Sequence, residues 1–138
     1  MPLPSLSPEP DRRASSALNV MIVEDEALIA FSLEDVFADE GYDIAGPFDS
    51  CAGALLALES SLPDVAVVDA TLKDGPCLEL ARELRRRGVP FLIYSGRDAA
   101  DECPPELRGV KWIEKPGSLE SVLRAVEKLI GRGAAAKL

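Results

Sequence analysis

Three largely apolar stretches in this chain, two of them unbroken and one carrying Lys111, each end in charge, and that placement restricts the fold more than any other feature. They are Val20-Met21-Ile22-Val23 before Glu24-Asp25-Glu26, Val65-Ala66-Val67-Val68 before Asp69, and the segment Val110 to Ile113 before Glu114-Lys115-Pro116. Continuous apolar runs of this length suit strands buried on both faces, as in a parallel sheet with crossover helices above and below it. Such sheets hold ligands at the carboxyl ends of their strands. The acids and the lysine are therefore expected at one end of one sheet, a place suited to a divalent cation and a phosphoryl group.

The intervening segments read as helices. Ile29, Leu33, Val36 and Phe37 share one helical face, and Gly41 supplies a stop. Asp43 to Ala45 reads as a short edge strand. A helix from about Ser50 to Ser60, capped by Asp49 or Ser50, carries Leu55, Leu56 and Leu58, and Pro63 closes the turn before the Val65 strand. Cys77, Leu80, Ala81 and Leu84 repeat at helical spacing up to Arg87, and Gly88 ends that helix. Phe91 to Tyr94 makes a fourth strand, Val110 to Ile113 a fifth, and a last helix spans Ser118 to Ile130. Alternation of this kind predicts an α/β sheet with crossover helices. The fourth connection is the exception. Pro104-Pro105 forbids a continuous helix there, so at most a helical turn or two is expected before Pro104.

At 138 residues the chain has room for one domain, and its net charge of -9 disfavours direct contact with nucleic acid or anionic membranes. The basic cluster Arg85-Arg86-Arg87 falls at a helix end, where cations offset the helix dipole. Cys51, Cys77 and Cys103 show no paired short spacing, so neither a zinc site nor a disulfide framework is suggested. Histidine is absent, which excludes a histidine base or phosphocarrier. A reducing cytoplasm fits best. Arg12-Arg13 precedes an apolar stretch, but Glu24-Asp25-Glu26 interrupts it before any export core is reached, and no apolar run approaches membrane-spanning length. Residues 1–17, rich in proline and serine, read as a disordered lead, 18–131 as the domain, and 132–138 as a flexible tail.

Taken singly, the charged residues are ordinary: acids favour helix starts, an aspartate after a strand caps a turn, and a lysine before proline sits on a surface. Their convergence changes the chemistry. Carboxylates crowded at a sheet mouth repel one another unless a cation compensates them, and Mg2+ prefers a few carboxylates plus waters and phosphate oxygens. A carboxylate that attacks phosphorus needs its incoming oxygens neutralised by metal and lysine. Ser95, followed by Gly96, offers a hydroxyl and an approachable backbone to such an oxygen.

With an acidic pair after the first strand, an aspartate after the third, Ser-Gly after the fourth and Lys-Pro after the fifth, the chain resembles the receiver domain of two-component response regulators. The resemblance runs from about Leu18 to Ile130 and includes the stretch Asp69 to Gly75. It implies a flavodoxin-like, CheY-like doubly wound sheet of five parallel strands in the order 2-1-3-4-5, with a short or irregular fourth helix. It implies Asp69 as phosphoacceptor and Asp25 with Asp69 as direct Mg2+ ligands. Glu24 would act through a metal-bound water, and the Thr71 carbonyl would be a further ligand. Lys115 and Gly96 would bind the phosphoryl oxygens, Ser95 would move toward them, and Trp112 would be the aromatic that swings inward with it. The implied donors are a sensor histidine kinase or a histidine phosphotransfer protein. The downstream protein is unidentified and a homodimer stays open.

Two departures stand out. Lys73 replaces a proline common in the family, and Pro104-Pro105 interrupts the fourth helix that commonly forms the dimer face. Ile93-Tyr94-Ser95-Gly96 only approaches the Phe-Ala-Thr-Gly stretch of an alphaproteobacterial subgroup with short fourth connections. With about eight residues after the last helix, the reading is a stand-alone cytoplasmic receiver that signals by protein contact or acts as a phosphate sink. It would be no enzyme beyond catalysing its own phosphorylation and dephosphorylation. Two rivals are a phosphorylation-independent binding module and a haloacid dehalogenase-type phosphatase, which generally needs a second acid where this chain has Thr71.

Overall fold

The computed structural model describes residues 17–70, 72, 78–96, 105–115 and 117–131. In chain order the elements are β1 (Asn19–Val23), α1 (Ala27–Asp39), β2 (Asp43–Phe48), α2 (Cys51–Ser60), β3 (Val65–Val68), α3 (Leu78–Arg86), β4 (Phe91–Ser95), a 3-10 turn (Pro105–Leu107), β5 (Lys111–Glu114) and α4 (Leu119–Leu129). The strands form one parallel sheet in the order β2-β1-β3-β4-β5. This is the doubly wound, CheY-like arrangement; among the described residues it carries four α-helices, and those of the fourth crossover hold a 3-10 turn. The expected leads and tails at 1–16 and 132–138 lie outside the described residues, as do Thr71, Lys73, Cys77 and 97–104.

Side chains along a strand alternate between faces, and the apolar runs supply both sides of the sheet. Val20, Ile22, Val65, Val67, Leu92 and Tyr94 meet Leu33 and Phe37 of α1 and Val122 and Val126 of α4. Met21, Val23, Ala66, Val68, Phe91 and Ile93 meet Ala54 and Leu58 of α2, Leu80 and Leu84 of α3, and Leu107 of the 3-10 turn. Each Val, Leu, Ile, Phe or Met side chain among them that is withdrawn from water contributes about 1.5 to 3 kcal/mol before entropy is charged against it. The central strands β1, β3 and β4 are buried along almost their whole length.

Local chemistry sets the ends. Ser50 caps α2 by accepting the Gly53 N–H at 3.0 Å, and Ser118 caps α4 by accepting the Ser121 N–H at 3.1 Å. Pro105 opens the 3-10 turn, where its missing N–H costs nothing because the first donors of a helix lack internal partners. Arg85 then ties the turn to α3 through the Arg108 carbonyl at 2.6 Å.

Two sequence expectations change. The edge strand does not stop at Ala45 but runs through Gly46 and Pro47 to Phe48. Its register with β1 gains one residue between the pairs Met21–Ala45 and Val23–Phe48, a bulge that an edge strand can absorb along with a proline. In α2, Leu56 points outward and is exposed; Cys51, Ala54 and Leu58 form the buried stripe instead.

Candidate functional site

Each charged residue of interest lies one step beyond a strand, held there by a backbone bond to a neighbouring strand. The Glu24 N–H donates to the Phe48 carbonyl at 2.8 Å, the Asp69 N–H to Val23 at 2.9 Å, and the Lys115 N–H to Ser95 at 2.8 Å. The ladders of β1, β3 and β5 are thus prolonged just far enough to fix the first residue of each loop. Gly46 makes the β2 side of this arrangement feasible. At φ +102° a side chain is strained, and a Cβ there would lie 2.8 Å from both the Ile22 carbonyl oxygen and the Phe48 nitrogen.

The side chains converge on Lys115. Its Nζ lies 2.8 Å from Glu24 Oε1, 3.1 Å from Asp69 Oδ2 and 3.6 Å from Glu26 Oε1. Glu24 and Asp69 are each 3% exposed, so these pairs sit where water screens them weakly. Asp25 completes the group: one carboxylate oxygen from each of Glu24, Asp25 and Asp69 lies within 4.8 Å of the others. Glu24 Oε2 also accepts the Glu26 N–H at 3.0 Å, so both of its oxygens are engaged.

The electrostatics follow from burial. Desolvation pushes the Glu24 carboxyl up to about 7, with the Asp69 charge adding to it, although Lys115 and the Glu26 N–H pull the other way. Burial draws the Lys115 ammonium down, but its bonds to Glu24 and Asp69 outweigh that and leave it raised. Burial also raises the Tyr94 hydroxyl. One lysine therefore faces a surplus of carboxylate. That donor set, hard oxygens with unbalanced negative charge, fits a small divalent cation such as Mg2+.

The structure thus brings Glu24, Asp25, Asp69 and Lys115 together. Ser95 is fully buried at the end of β4, and the exposed Gly96 follows it with open space where a Cβ would be. Trp112 is half-buried, in register with Ile93 and packed against the α2 and α3 side of the core. Thr71 lies outside the described residues. The sequence reading placed Lys115 on the phosphoryl oxygens but missed its contact to Glu24, and it missed Tyr94 and the Gly46 bulge. Tyr94 carries no charge to mark it within an apolar strand, whereas the Gly46-Pro47 pair was a visible signal.

Residues 20–127 match the family model of the response regulator receiver domain. The chain belongs to this family. The receiver is 27% identical over 129 residues to the transcriptional regulatory protein PdtaR of Mycobacterium tuberculosis, covering 91% of this chain and 62% of that protein. It therefore spans about three fifths of that relative's length. Among solved structures, SdrG from Sphingomonas melonis Fr1 superposes with a TM-score of 0.70 at 30% identity, covering 83% of this chain and 97% of that one. The CheY-like receiver domain from Methylobacillus flagellatus gives a TM-score of 0.70 at 23% identity, covering 83% and 99% of the two chains, and supports the fold. Among the described residues no helix is long and apolar enough to cross a membrane.

Proposed function

We propose that this receiver accepts a phosphoryl group on Asp69 from the phosphohistidine of a sensor histidine kinase or phosphotransfer protein, in a Mg2+-dependent reaction. The observation that carries the reading is the meeting of Asp69 Oδ2 and Lys115 Nζ at 3.1 Å inside a carboxylate cluster whose oxygens lie within 4.8 Å of one another. Asp25 and Asp69 would hold the ion directly. Glu24, with both oxygens engaged, suits a role through water, and the Thr71 carbonyl is proposed as a further ligand. When bound, Mg2+ supplies neutralisation of the acids and of the incoming oxygens.

The step is an in-line displacement. An Asp69 carboxylate oxygen forms the new O–P bond as the donor's N–P bond breaks, and the imidazole leaves with the bonding pair. Lys115 turns from the carboxylates to the transferred oxygens, which takes little movement because it already touches Asp69. Ser95 supplies a hydroxyl and Gly96 an approachable backbone. The displacement of Ser95 is relayed to Trp112 through β4, whose Ile93, two residues before Ser95, pairs with Trp112. Apart from its own phosphorylation and dephosphorylation the domain turns over no free substrate.

The donor side fits a protein. Leu28 and Phe31, neighbours on the first turns of α1 just after the acids, are 82% and 62% exposed and give a partner apolar footing beside the site. The output is protein contact or phosphate sequestration in the cytoplasm. Trp112, the single tryptophan, offers the test. Mg2+ alone, and Mg2+ with beryllofluoride as a phosphoryl mimic, should each change its fluorescence, and Asp69→Asn should abolish the response to the mimic. Equal mimic responses in wild type and Asp69→Asn would refute the reading.

A further inference from the structure

We propose that Tyr94 is a positioning residue for Lys115, holding the lysine's backbone through its hydroxyl and the ammonium through its ring. The inference rests on the phosphoryl-acceptor reading above. Tyr94 is 3% exposed in β4, immediately before Ser95, and faces the α1 and α4 side of the sheet. Its hydroxyl donates to the Gly117 carbonyl at 2.8 Å, and the Lys115 ammonium lies 5.7 Å from the centre of its ring.

A buried tyrosine ordinarily finds some acceptor for its hydroxyl. Here that acceptor lies two residues after Lys115, in a turn closed by the Gly117 N–H on the Glu114 carbonyl at 2.9 Å. Before the turn, the Lys115 N–H is held by the Ser95 carbonyl at 2.8 Å. Consecutive residues of β4 therefore grip the chain on both sides of the lysine. The turn is also packed tightly, since a Cβ on Gly117 would lie 2.9 Å from the Glu114 carbonyl oxygen and 3.2 Å from Ile113.

The ring acts on the same side chain from below. A cation over an aromatic face is attracted whichever anion it pairs with. Glu24 and Asp69 compete for the ammonium and would lose it to incoming phosphoryl oxygens, but the Tyr94 contact persists through that exchange. Tyr94 thus keeps Lys115 aimed at the mouth of the sheet while its partner changes. No position in the carboxylate cluster does this, because each acid holds the ammonium only by competing with the phosphoryl group.

The test uses the full chain with Tyr94→Phe, which keeps the ring, and Tyr94→Leu, which removes ring and hydroxyl. Half-saturation by beryllofluoride at fixed Mg2+ should weaken about threefold in Tyr94→Phe and about tenfold in Tyr94→Leu. The Mg2+ midpoint of Trp112 fluorescence should stay within about twofold in both, since the acids that hold the ion are untouched. In proton spectra, the Lys115 side-chain methylene next to the ammonium should show an upfield ring shift that survives in Tyr94→Phe and vanishes in Tyr94→Leu. Wild-type beryllofluoride affinity in both variants, or parallel weakening of Mg2+ and beryllofluoride, would overturn the proposal. A wild type that ignores beryllofluoride would instead defeat the phosphoryl-acceptor reading.

Discussion

At the scale of single residues, the decisive quantity is charge balance around Lys115. Glu24 titrates at about 7 when folded against an ordinary value of 4.5, so between those values the folded chain holds a proton that the unfolded chain has released. Its contribution to stability is fully present below 4.5 and is lost as pH rises through 7. In metal-free solution the stability read from urea unfolding should therefore fall across that window by on the order of 3 kcal/mol, and Glu24→Gln should flatten the slope. Mg2+ should offset the loss, because it stabilises the ionised carboxylates. The lysine itself works against the metal in the resting state. Lys115→Met should tighten Mg2+ binding about tenfold by removing a nearby positive charge, while abolishing the beryllofluoride response. Weaker Mg2+ binding in Lys115→Met, measured by the same titration, would contradict the charge balance described.

Among elements, β2 does more than close the sheet edge. Its bulge at Gly46-Pro47 brings the Phe48 carbonyl to the Glu24 N–H, and so sets where β1 releases the acids. Gly46→Ala adds strain at φ +102° and a collision with the Ile22 carbonyl at 2.8 Å, at a cost of about 2 to 3 kcal/mol. It should also weaken Mg2+ binding several-fold. Ser50→Ala, which removes the α2 cap farther along the same connection, should cost about 1 kcal/mol and leave Mg2+ binding unchanged. Paired urea and Mg2+ titrations of the two variants separate a strand that shapes the site from a helix that only supports it. The sequence reading ended this strand at Ala45, before the glycine-proline pair; a parallel edge strand leaves one side of its backbone unpaired and tolerates the proline. In α2 the leucines follow one another too closely for all to share a face, so the small residues Cys51 and Ala54 join Leu58 in the buried stripe and Leu56 is left outside it.

In the whole molecule, the crossover rule does most of the work. Once five apolar segments are strands of one parallel sheet, residues distant in sequence must meet at its carboxyl end, and Glu24, Asp25, Asp69 and Lys115 do so. Those residues were legible because charge directly after an apolar run is conspicuous. The contacts of Tyr94 were not, since an aromatic inside a buried strand looks like core until its neighbours across the sheet are known. The same assembly sets α1 beside the acids with Leu28 and Phe31 facing outward. Phe31→Ser should slow phosphoryl transfer from a protein donor about tenfold and leave acetyl phosphate reactivity unchanged, because only the protein uses that footing. Equal slowing with both donors, in a comparison of initial rates, would move Phe31 from docking to folding.

The most direct measurement is the chemical mapping of the modified side chain after reaction with a small phosphodonor in Mg2+, by borohydride reduction of the acyl phosphate and peptide mass spectrometry. The account predicts homoserine at position 69 in the wild type, dependent on Mg2+, and no labelled peptide from Asp69→Asn. Label on another residue, or equal labelling of Asp69→Asn, would contradict it.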